Sequence, residues 1–184
     1  METEPSTRLI IHARPHPTLE VQRAGFPLDH RYVEQCWSSL IGPSSTLLLR
    51  RLPWLWREGT SVTVDVGELG RSLGLGSAIG RNTKISRTLQ RLTHFGFAEP
   101  CAPGELDVYT EAPPLSERQL SRVPMWTRVL HEQLLHAHLK ELSHPSRSAP
   151  LGPPTPAVQQ MQARLARLQH PTSDTPAFSA ELAR

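Results

Sequence analysis

Between Gly80 and Gly96 the chain carries Arg81, Lys84, Arg87 and Arg91 and not one Asp or Glu. In the same stretch Ile85, Leu89, Leu92 and Phe95 recur at i, i+4, i+7 and i+10, the period of one stripe on a helix, here running from about Asn82 to Phe95. One side of that helix can seat in a core, and the other is uniformly cationic. Arg and Lys are good helix formers, and many cationic helix faces are only solvated surface. An ordinary exposed helix, however, mixes signs to gain i, i+4 pairs, so a face with no acidic residue points to an anionic partner.

The flanking residues supply further elements. Val62 and Val64 alternate with polar neighbours as a short half-buried strand does, over Ser61 to Val64. Asp65 and Glu68 have the spacing of a capping box and open a helix that reaches Leu73 and buries Val66, Leu69 and Leu73, with Gly74 placed to end it. Gly74, Gly76 and Gly80 then allow positive φ, which suits either a loop that approaches a phosphate or a flexible connector. After the basic helix, Phe97 to Cys101 and Leu106 to Tyr109 read as two strands turning at Ala102-Pro103-Gly104.

Strand, helix, helix and two-stranded hairpin is the element order of a winged helix-turn-helix. The run ISRTLQRLTHFGFAE, preceded by DVGELGRSLGLG, resembles the bacterial winged helix regulators of the MarR and IclR type. The overall texture resembles uncharacterised winged helix proteins of actinobacterial type. The likeness covers residues 62–111, about a quarter of the chain, and the loop between Leu73 and Ile85 is several residues longer than the tight turn of those families. It implies an α+β fold, mostly helical with a small antiparallel wing sheet, in which the second helix of the pair is the recognition helix. It also implies a transcription regulator that binds double-stranded DNA and dimerises through helices outside the winged motif.

The rest of the chain is organised around that unit. Residues 1–28 form an N-terminal arm in which Leu9-Ile10-Ile11 is either an edge strand or irregular. The winged helix domain with its flanking helices spans 29–142. Tyr32, Val33, Cys36, Trp37, Leu40 and Ile41 mark a helix after Asp29 that Gly42-Pro43 ends, and Leu47 to Trp56 mark a second in which Pro53 should produce a kink or a break. Ser116 and Gln119 have capping-box spacing, and a longer helix follows from Pro124 to Leu142. Trp126, Val129, Leu130, Leu134 and Ala137 fall on one side of it and Leu135, Leu139 and Leu142 on the other. Two apolar faces call for two partners: the domain body and, in a homodimer through helix 125–142, a second copy. Residues 143–184 read as a Pro-rich flexible tail, with a short amphipathic helix at 157–169 and disorder beyond Pro171.

Eighteen prolines and 5% aromatics among 184 residues limit the core to part of the chain. A net charge of +3 is a mild bias whose distribution matters more than its size. Cys36 and Cys101 have no neighbouring partner and read as two buried free thiols in a reducing cytosol, with no metal and no cofactor expected. His136 and His138 point about 200° apart on a helix, so only His131 and His138 share a face. The chain has no phosphate-binding loop, dinucleotide fingerprint, nucleophile elbow or zinc-protease motif, which disfavours an enzyme. Without a signal pattern or a run near the roughly 20 apolar residues that cross a bilayer, a cytoplasmic protein with no membrane partner is expected.

Lys84, Ser86, Arg87, Gln90 and Arg91 are therefore the expected DNA-binding residues. Arg87 and Gln90 suit base edges, Arg91 and Lys84 suit phosphates, and Ser86 suits either. Glu105 and Asp107 stand where a minor-groove wing would carry Arg or Lys, so the hairpin reads better as one that completes the sheet. The competing reading is a winged helix domain that binds protein, through the acidic wing and the second apolar face of the late helix, without touching DNA.

Overall fold

The computed structural model describes residues 8–143. The Pro-rich tail beyond them and the helix expected at 157–169 lie outside the described residues. The fold is α+β, built around a four-stranded sheet in the order β3-β1-β5-β4. These strands are β1 (Arg8–Arg14), β3 (Ser61–Asp65), β4 (Ala98–Ala102) and β5 (Glu105–Tyr109). β1 runs antiparallel to β3, with Ile11 opposite Val62, and parallel to β5, with Ile11 opposite Leu106. The N-terminal segment is thus an interior strand, where sequence offered an edge strand or an irregular arm. The sheet it completes is mixed, where the likeness implied a small antiparallel one. The apolar run is local, but its two partner strands lie far along the chain, and nothing in Leu9-Ile10-Ile11 specifies them. Alternation then divides the strand: Ile11 is buried, while His12 faces outward beside β5.

Helices cover the inner face of the sheet. α1 (Leu19–Ala24) leads to β2 (Phe26–Pro27), which pairs with β6 (Glu111–Ala112). A π-helical turn, Val33–Trp37, continues into α2 (Ser38–Leu55), broken at Gly42 by φ 77° and ψ 165°. Pro53 keeps helical dihedrals near the end of α2, so the helix is not split there and the break lies at Gly42-Pro43. α3 (Val66–Ser72) is capped by Asp65, whose carboxylate accepts the Glu68 N–H at 2.8 Å. α4 (Lys84–His94), the short α5 (Glu117–Leu120) and α6 (Met125–Ser143) complete the unit. Tyr32, Trp37, Phe26 and Phe97 are its largest fully buried side chains. Trp37 donates to the Pro113 carbonyl at 2.8 Å and Trp56 to that of Ile11 at 3.2 Å, which ties the helices to the strands.

α6 docks by a face that apolar patterning does not single out. Of the stripe expected to dock, Leu134 is buried and Leu130 packs half-buried against the core, but Trp126 is 62% exposed and Val129 46%, and Thr127, His131 and His138 are buried in their place. Leu135 is half-buried against the core, and Leu139 and Leu142 remain exposed. The histidines can go inside because their polar atoms are satisfied. The Leu115 N–H donates to Tyr32 Oη at 2.8 Å, and Tyr32 Oη lies 2.6 Å from His131 Nδ1. His138 Nε2 donates to the Gly25 carbonyl at 3.1 Å, with its ring stacked on Phe26.

Burial pushes the pKa of His131 below the ordinary imidazole value, with Glu132 and Glu117 partly opposing. Burial also lowers His30, helped by His138 and Arg31, and Glu141 and Asp29 oppose. The unfolded chain therefore takes up protons near pH ~6.5 that the folded chain refuses, so stability is retained above that value and falls as pH drops toward the lowered folded pKa values. The urea midpoint should accordingly fall between about pH 7 and pH 5. His131→Asn should reduce that fall; an identical pH profile in the variant would assign the acid sensitivity elsewhere.

Candidate nucleic-acid interface

The Thr83 hydroxyl caps α4 by accepting the Ser86 N–H at 3.3 Å. Ile85, Thr88 and Leu92 are buried beneath the helix, and Leu89 and Phe95 pack half-buried at the margin of the same side. Lys84, Arg87, Gln90, Arg91 and His94 are exposed and form one arc of the helix. Among the described residues no carboxylate lies within ion-pair distance of Lys84, Arg87 or Arg91; the four ion pairs all lie elsewhere. Three cations remain available on a face whose reverse is fixed in the core.

The five residues expected to meet DNA divide between two flanks of that arc. Lys84, Arg87 and Arg91 line a cleft of about 230 Å³ whose opposite wall is Gly42, Pro43 and Ser45, at the start of the second half of α2. That wall is the first turn of the helical segment that restarts after Gly42, the positive end of its dipole, so both walls favour an oxyanion. Arg91 reaches across to donate to the Ile41 carbonyl at 3.4 Å. Ser86 and Gln90 face the other way, into a groove bounded by Pro100, Pro103 and Gly104 of the hairpin. The Ser86 hydroxyl donates to the Arg81 carbonyl at 2.9 Å, so its proton is already committed to holding the loop. The Gln90 side chain makes no hydrogen bond to any described residue and keeps both ends of its amide available.

The glycine loop before α4 is a packed element. Leu75 N–H donates to the Gly70 carbonyl at 2.9 Å, and a Cβ on Gly70 would lie 2.5 Å from the Gly76 carbonyl oxygen. The glycines of α3 thus admit the loop against the helix. The acidic hairpin residues are also occupied. Glu105 meets His12 at 3.1 Å, and Asp107 meets Arg14 at 3.3 Å, both across the parallel pairing with β1. Sequence cannot show this pairing, because the partner side chains sit on a strand near the N-terminus. His94, also missed, could have been placed on the arc by its spacing from Gln90, Arg87 and Arg91.

Gly42 fixes the far wall of the cleft. Its φ 77°, ψ 165° conformation is essentially restricted to glycine, and a Cβ there would stand 2.9 Å from Arg91 Nη1. Gly42→Ala should cost about 1–3 kcal/mol in a urea titration. The same substitution should push Arg91 off the Ile41 carbonyl; a variant as stable as the parent would mean the break can be made another way.

No protein-family model and no curated protein matches the chain. Among solved structures it is similar to primosome protein DnaB (residues 1–300) from Geobacillus stearothermophilus, with a TM-score of 0.39 and 16% identity. That similarity covers 81% of this chain and 54% of the other, so the chain spans about half its length. A likeness this loose carries nothing about fold or function to this chain.

Proposed function

We propose that the chain is a winged helix transcription regulator that binds double-stranded DNA through α4. The observation that carries the reading is the exposed trio Lys84, Arg87 and Arg91, which meets no carboxylate among the described residues. The β3-α3-α4-β4-β5 succession supports the winged helix reading, with α4 as recognition helix and the β4-β5 hairpin as wing. In this reading Arg91 and Lys84 contact phosphates, and Arg87 and Gln90 contact base edges. The wing serves to complete the sheet, since its acidic residues already face β1. Fluorescence anisotropy against random-sequence duplexes tests it, followed by selection of a preferred site. Arg91→Ala should weaken binding to every sequence alike. Arg87→Ala should cost about 1–3 kcal/mol on the preferred site and much less on random DNA. A parent that binds no duplex at low salt would favour a protein-binding module.

A second reading concerns α6. Trp126, Val129, Leu139 and Leu142 are exposed on it, which favours self-association through helix 125–142. Leu139→Glu should then shift sedimentation from dimer toward monomer with helicity unchanged. A parent that stays monomeric at high concentration would remove the idea.

A further inference from the structure

The outer face of the sheet, turned away from the helices, brings three residues together from three strands. His12 of β1 and Glu105 of β5 approach at 3.1 Å between Nε2 and Oε2. Cys101 of β4 lies in the irregularity between Pro100 and Ala102, where the β4-β5 register shifts. Its sulfur, the His12 nitrogen and the Glu105 oxygen all lie within 4.8 Å of one another. Cys101 is exposed, where sequence suggests a buried thiol, because the register shift turns it out of the sheet; His12 and Glu105 are partly exposed, which leaves the group open to solvent on one side. Asp107, the next outward residue of β5, is held by Arg14 at 3.3 Å.

We propose that His12, Cys101 and Glu105 form a binding site for a borderline divalent cation of the zinc class. Imidazole, thiolate and carboxylate together are a zinc-type donor set; magnesium and calcium take oxygen ligands instead. A tetrahedral zinc ion, with bonds of about 2.0–2.3 Å, holds its donors roughly 3.3–3.8 Å apart. The observed spacing needs only a small contraction, which the exposed bulge at Cys101 can supply. Three protein ligands leave a fourth position for water. On binding, the Cys101 S–H proton leaves to solvent and the proton held between His12 Nε2 and Glu105 is displaced to Nδ1 or to solvent, so that imidazole, thiolate and carboxylate each give a lone pair to the metal with no change of oxidation state. The ion would join β1, β4 and β5, pinning the hairpin to the interior strand, and the site does not depend on nucleic-acid binding. Neither the free-thiol reading of Cys101 nor the hydrogen bond between His12 and Glu105 accounts for the convergence of all three donors at the register shift.

Cobalt(II) titration of the full chain under a phosphine reductant tests the site. Tetrahedral cobalt bound to a thiolate gives a sulfur-to-metal charge-transfer band in the near ultraviolet and intense visible bands. Both should saturate at about one metal per chain, as one built site requires, and be abolished by added zinc. Cys36 is buried in the core and cannot substitute, so Cys101→Ser should remove the charge-transfer band. His12→Asn and Glu105→Gln should each weaken binding at least tenfold, with circular dichroism unchanged. If His12→Asn does not fold, the Glu105→Gln titration decides alone. A parent with no charge-transfer band, a band that survives Cys101→Ser, or parent-like affinity in Glu105→Gln would overturn the site. Cobalt taken up by surface histidines without that band counts as the first of these.

Discussion

Removal of residues 1–14 is expected to leave a chain that no longer unfolds cooperatively. β1 is hydrogen-bonded on both sides, to β3 and to β5, so its loss detaches β3 from the sheet altogether and exposes an unpaired edge on β5. Ile11 is 1% exposed and joins strand to helices. Trp56 loses the carbonyl that accepts its indole N–H, and Glu105 and Asp107 lose the side chains that face them. Each is a modest term alone; together they exceed the margin of about 5–15 kcal/mol by which a domain is stable. Ile11→Ala should cost about 2–5 kcal/mol and keep a sharp transition at a lower midpoint. Thermal melts followed by near-ultraviolet circular dichroism separate the two. A truncated chain with a sharp transition near that of the parent would show that β1 is laid on a sheet already complete without it.

Simultaneous replacement of Lys84, Arg87 and Arg91 by Ala should have the largest effect on binding and almost none on folding. All three are exposed, and none is held by a carboxylate among the described residues. Surface changes of that kind usually lie within about 0.5 kcal/mol each, and here three like charges that repel one another are removed. If the three side chains neutralise three phosphates, they contribute roughly −2.7 to the slope of log affinity against log salt. Between about 50 and 200 mM salt the parent should then lose roughly 40-fold more affinity than the variant. Leu92→Ala is the contrasting substitution. It empties a fully buried position under the same helix, costs about 2–5 kcal/mol of stability, and weakens binding only through unfolding.

The parts of the fold that sequence made legible are those set by local chemistry. The Asp65 cap, the Gly74 turn, the stripe under α4 and the Ser116-Gln119 box each depend on residues within one or two turns of each other. The interior place of β1 depends on pairing with residues about fifty and ninety-five positions away, as the partners of Ile10 and Ile11 show, and no periodicity encodes that. The inward face of α6 is legible only in part, through Leu130 and Leu134, for a different reason. Apolar patterning assigns the inward face to Trp126 and Val129, but hydrogen bonds to Tyr32 and Gly25 satisfy two histidines and let them take it. At the candidate site, the cationic arc was readable from spacing, whereas the cleft was not. Its second wall comes from the break in α2, and only folding sets Gly42 opposite Arg91. The separation of Ser86 and Gln90 from the three cations was likewise invisible until the hairpin and α2 stood on opposite flanks of α4.

The central claim, that the α4 cations meet nucleic-acid phosphates, is tested most directly by the salt dependence of duplex binding in the parent and in the triple alanine variant. The account predicts that the parent binds random-sequence duplex at low salt and that its slope is steeper than the variant's by about 2.7. No binding by the parent, or equal slopes in the two proteins, would contradict it.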